Sequence, residues 1–140
     1  MAWWDFRKRR KSSEEKRMED LRIFVEAKIK ELNVVCNEAR VILEKRSSYT
    51  KNKENKELMG WVLDIFKKIL HNLDDAYRFI HEDNSTSTKN ELEEAENEIN
   101  KDDIDDRIDY LIKSKIVGKD LKSKMLEVRS NIRLLLKNLK

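Results

Sequence analysis

The 140-residue sequence has no proline and no glutamine, only two glycines and one cysteine. Such a chain has little material for tight turns, hairpins or a glycine-rich phosphate cradle, so its composition points to helices. Cys36 stands alone, which forbids an intramolecular disulfide or a thiolate metal cluster. It falls among helical apolar positions and reads as a small buried hydrophobe. No apolar run approaches the roughly 18 residues of a membrane span, and the basic, Trp-containing start lacks the apolar stretch of a secretory signal. Ala2 excludes the N-myristoylation pattern. A soluble or peripheral protein is expected.

Catalytic patterns are equally scarce. The sequence has no G-x-S-x-G, P-loop, H-E-x-x-H or EF-hand loop. His71 and His81 are ten residues apart, about 80° out of line on a helix, so they do not chelate one metal. His71 with Asp74 or Asp75 reads as a surface pair. Glu91, Glu93, Glu94, Glu96 and Glu98 read as a solvated face, because nothing nearby predicts the buried pocket that separates two carboxylate pKa values. No enzyme activity, cofactor, metal or small-molecule substrate is expected.

What the chain has in abundance is charge: 42% of residues are Asp, Glu, Lys or Arg. The net charge of +3 hides a segregated distribution. Residues 1–11 carry five basic side chains against one acidic; residues 82–112 carry twelve acidic against three basic; residues 113–140 carry nine basic against two acidic. In one reading the acidic third helix and basic fourth helix neutralise each other as neighbours. In the other, the N-terminal arm joins Lys16, Arg17 and Arg22, or Lys122, Lys124, Arg129 and Arg133, in a track for a polyanion.

The apolar residues, 39% of the chain, suffice for one core. After a Ser12–Glu15 capping box, Met18, Leu21, Val25, Leu32, Val35, Ala39 and Ile42 recur at steps of three and four, widened by Ile29, Cys36 and Leu43. Lys28 interrupts the seam but can snorkel to its flank. A second stripe runs through Leu58, Val62, Ile65, Phe66, Ile69, Leu73, Ala76 and Ile80. Gly60 beside it would admit a second backbone, and Trp61 fits either the core or a subunit contact. Thr88 with Glu91 predicts the cap of a third helix, either one bent helix or two short ones meeting near Asn100. Lys115 and Gly118 give its stop, and Asp120 caps the last helix. The expected fold is all-α: a four-helix bundle at 12–140, with helices near 13–46, 54–82, 89–117 and 121–138. It has a long first helix and an extended basic N-terminal arm at 1–11.

That arm, Trp3-Trp4-Asp5-Phe6-Arg7-Lys8-Arg9-Arg10-Lys11, is too short and too charged to build a core. Trp3, Trp4 and Phe6 can staple back onto the first helix, stack on nucleic acid, enter a lipid interface or pack on another subunit. Arg7, Lys8, Arg9, Arg10 and Lys11 repel one another, a cost that a bound polyanion relieves.

A small Lys/Glu/Ile-rich helical bundle with this arm resembles the major coat proteins of filamentous and rod-shaped viruses of hyperthermophilic archaea, the lipothrixvirus and rudivirus type. The resemblance implies a subunit that coats linear double-stranded DNA, holds it in A-form and polymerises into a filament in the virion. It also implies pairing with itself or a paralogous coat subunit, and a possible lipid envelope around the nucleoprotein. The residues expected to contact DNA are Arg7 to Lys11, then Lys16, Arg17 and Arg22, through phosphates rather than base edges. The alternative is a peripheral, cytoplasmic membrane-binding or membrane-remodelling protein anchored by Trp3, Trp4 and Phe6. A third is a helical adaptor in a ribonucleoprotein.

Overall fold

The computed structural model describes residues 13–139; the arm at 1–11 and the expected cap Ser12 lie outside them. The described chain is all-helical. Its helices are α1 (Ser13–Tyr49), α2 (Lys53–His81), α3 (Ser85–Ile99), α4 (Ile104–Lys113) and α5 (Lys119–Asn138). Connections of three residues, 50–52 and 82–84, leave α1, α2 and α3 no alternative to antiparallel packing. α1 and α3 each pack on both α2 and α5, closing a ring, and α4 packs on α2 and α5.

The stripes read from spacing supply the core. Val25, Ile29, Leu32, Cys36, Ala39 and Leu43 of α1 are fully buried, against Val62, Phe66, Ile69 and Leu73 of α2, Leu92 and Ala95 of α3, and Met125, Val128 and Ile132 of α5. Each fully buried Leu or Ile contributes about 2 kcal/mol of transfer free energy. Burial pushes the Cys36 thiol up to about 12, so it stays protonated and unreactive.

Several expectations are corrected. Of the two forms expected over 89–117, the chain takes the two-helix one in place of a single span: α3 ends at Ile99, and α4 begins after Asp103, whose φ of 73° breaks the helical path. The cap of α3 is Asn84, whose side-chain oxygen accepts from the Ser87 N–H at 3.0 Å. Thr88 is instead fully buried one turn in, its hydroxyl donating to the Asn84 carbonyl at 2.7 Å. The residue preceding α5 is Gly118, and Asp120 lies in the first turn. Lys115 falls beyond α4 in the left-handed region, at φ 61°, where its N–H donates to the Ile112 carbonyl at 2.9 Å. No atom lies within 4 Å of where a Cβ on Gly60 would stand, so no second backbone approaches there. Trp61 is half-buried on the core, with the Arg107 guanidinium of α4 stacked 4.0 Å from its ring centroid. That contact fastens α4 to α2. Met18, counted in the first apolar stripe, is 50% exposed.

Candidate functional site

The exposure of Met18 marks where α1 leaves the body. Ser13 to Met18 are all exposed, and the first fully buried residue is Val25. The end of α2 meets α1 just inside this point, through His81 to Glu26 at 3.3 Å and Arg22 to Asp83 at 3.7 Å. The six residues before Glu19 therefore project roughly 9 Å beyond the bundle. Lys16 and Arg17 stand on this overhang and form no ion pair among the described residues. Arg22, the third expected contact on this helix, is half-exposed and shared with Asp83. Arg7, Lys8, Arg9, Arg10, Lys11 and the aromatics Trp3, Trp4 and Phe6 lie outside the described residues.

The other cations weighed for a track are mostly occupied. Lys122 donates to Asp109 at 2.6 Å and Lys124 to Glu38 at 2.6 Å. The hydrogen bond to Glu38 chiefly holds the Lys124 ammonium above its usual range, against a smaller opposing effect of burial. The Arg129 guanidinium donates to the last carbonyl of α3, Ile99, at 3.1 Å and to Asp105 of α4 at 3.2 Å. One side chain thus caps a helix C-terminus and pins the next helix. Of the four, only Arg133 is exposed and without such a partner.

At the opposite end of the bundle the fold gathers a second basic surface that no sequence expectation brought together. Pairing α1 with α5 sets the connection after α1 beside the connection before α5. Over residues 45–53 and 113–120 there are seven cations, Lys45, Arg46, Lys51, Lys53, Lys113, Lys115 and Lys119, and one carboxylate, Asp120. None of the seven enters an ion pair among the described residues. A groove of about 330 Å³ lies between the last turns of α1 and the start of α5, lined by Ile42, Lys45, Arg46, Tyr49, Gly118 and Asp120. Tyr49 is 74% exposed at its rim. The signal was available as two charge counts sixty residues apart, but only the topology joins them.

Between the two ends, the outer face of α1 is mixed, with exposed Lys30 and Asn37 among apolar and acidic side chains. Ile23, Val34 and Val41 are each more than half exposed there, with Glu31, Glu38 and Glu44 around them. A groove of about 480 Å³ between α2 and α3 is lined by Lys67, Lys68, His71, Asn72, Glu94, Asn97 and Glu98. Beside it, burial first, and then the charges of Glu94 and Asp75, raise the pKa of Glu91. His71 forms an exposed pair with Asp75 at 3.4 Å. Among the described residues no three His, Cys, Asp or Glu side chains converge on a metal position, and no helix is long and apolar enough to cross a membrane.

No protein-family model matches the sequence, and no curated protein matches it. Among solved structures the chain is similar to a pectin methylesterase inhibitor from Arabidopsis thaliana. The identity is 10%, over 85% of this chain and 76% of that one, with a TM-score of 0.72. The likeness is one of fold: both are helical bundles.

Proposed function

We propose that this protein is a structural nucleoprotein subunit that binds duplex DNA through its phosphates, without reading sequence, and assembles with further copies along it. The observation that carries this reading is the overhang of α1. It holds Lys16 and Arg17 exposed, without an ion pair among the described residues and clear of the body, at the point where the sequence continues into Arg7 to Lys11. A cationic segment on a projecting helix can reach a phosphate backbone without steric conflict from the bundle, and neutralisation there releases condensed counterions. Nothing on the overhang supplies the Asn, Gln and Arg set on a short recognition helix that base readout requires. In the form that the coat-protein resemblance implies, the subunits polymerise around DNA in a virion, alone or with a paralogous chain. The exposed Ile23, Val34 and Val41 provide apolar surface for such contacts.

The reading is tested by comparing three chains on random-sequence duplex DNA: the full length, one with Arg7 to Lys11 changed to Gln, and one carrying Trp3→Ala with Trp4→Ala. Affinity should fall steeply in the first variant, leaving a weaker binding of shallower salt dependence, and hold in the second, and electron microscopy of the full-length mixture should show regular filaments. Undiminished affinity after charge removal, or binding to anionic vesicles lost only with the tryptophans, would sink the proposal.

A further inference from the structure

The far end of the bundle is built against its own stability. Lys45, Arg46 and Lys113 sit near helix C-termini, where a cation is favoured by the helix dipole. The other four cations have no such explanation. Lys53 and Lys119 are the first residues of α2 and α5, at the positive ends of two helices. Lys115 occupies a left-handed position that glycine fills at least cost. Lys51 lies exposed in the connection between α1 and α2, with no partner among the described residues. Two helix N-termini therefore add positive partial charge to an end that already has seven cations, against Asp120 and Glu54 in the first turns of α5 and α2. An anion is the one addition that offsets all of these terms together.

We infer that this end is a second binding site for duplex phosphates, with Lys51, Lys53, Lys115 and Lys119 as its contacts and the exposed Tyr49 hydroxyl as a further donor. α1 spans 37 residues, so this end stands roughly 55 Å from the overhang. On the face between them, from Ile23 to Glu44, the exposed Lys30 stands among Ile23, Val34, Val41, Glu31, Glu38 and Glu44, which offers a duplex no continuous basic track. The two ends therefore hold separate DNA segments, and one subunit bridges them. The bridging and the choice of a duplex rest on the proposed function; the anion-binding end does not.

The test uses the full-length chain, the chain lacking residues 1–11, and each of these with K51Q, K53Q, K115Q and K119Q together. These four changes remove unfavourable placements, so folding, followed by circular dichroism, should be unharmed. One duplex of about 12 base pairs, roughly 40 Å and too short to reach both ends, is immobilised, and capture of a second, fluorescent duplex is measured. The full-length chain should capture it, and the four substitutions should cut capture by about tenfold or more while leaving binding to the immobilised duplex. The chain lacking residues 1–11 should still bind one duplex, with a salt slope that falls by about 3 to 4 on adding the four substitutions. Undiminished capture by the substituted full-length chain would overturn the inference. So would a shortened chain that binds no duplex, or one that binds phosphatidylserine vesicles instead. If the shortened chain binds duplex as tightly as the full length, the reading of the arm fails and the second site stands.

Discussion

Helix α5 and the end of the bundle where it begins are both rich in lysine and arginine, yet the fold treats them oppositely. Along α5, Lys122, Lys124 and Arg129 each meet a carboxylate from a neighbouring helix, Asp109, Glu38 and Asp105. At the end, the seven cations of residues 45–53 and 113–120 form no ion pair among the described residues. A run of basic residues is therefore no functional signal until the topology shows what faces it. The same packing that pairs Lys122, Lys124 and Arg129 with carboxylates concentrates the charge of two connections in one place.

If α5 is basic for structural reasons, its removal should cost stability. Arg129→Ala leaves the Ile99 carbonyl and Asp105 without their donor and should destabilise the fold by about 2 to 3 kcal/mol, read by urea denaturation, with little change in DNA affinity. A change within a few tenths of a kcal/mol would break the comparison from the structural side. At the bundle end the sign reverses. Lys115→Gly should stabilise by about 1 kcal/mol, because the left-handed backbone no longer strains a side chain. Lys53→Glu and Lys119→Glu should each stabilise by about 0.3 to 1 kcal/mol through the helix dipole, and both should weaken duplex binding by the chain lacking residues 1–11. Destabilisation by either would mean that these lysines have partners in the fold after all.

The acidic side offers the smallest effect. Burial, then Glu94 and Asp75, raise the pKa of Glu91, so the folded state holds that proton more tightly than the unfolded state does. Its contribution is present at low pH and is lost as pH rises through the carboxylate range. Glu91→Gln should therefore be more stable than the parent at neutral pH, with an advantage that shrinks on acidification. Parallel stability curves across that range would contradict this assignment.

The core was legible in the sequence because helical burial repeats every three to four residues and α1, α2 and α5 obey it along most of their lengths. Spacing could not show that α1 outruns its neighbours, so Met18 looked like a core residue although no helix reaches it. Nor could spacing choose between Thr88 and Asn84 as a cap. Both have a suitable side chain, and it is tertiary burial of Thr88 that decides. Pattern allowed one bent helix or two between 89 and 117, and the left-handed turn at Asp103 resolved it. The overhang residues Lys16 and Arg17 were legible as candidates by continuity with the arm. The second basic surface was not, because its halves are separated by sixty residues and meet only when α5 returns beside α1.

The central claim is that this bundle meets DNA through charge held at its ends. It is tested most directly by the affinity of the full-length chain for random-sequence duplex across a salt series. Neutralising about five to eight phosphates predicts a slope of log K against log salt of about −4 to −7. A flat dependence between low and moderate salt would contradict the account.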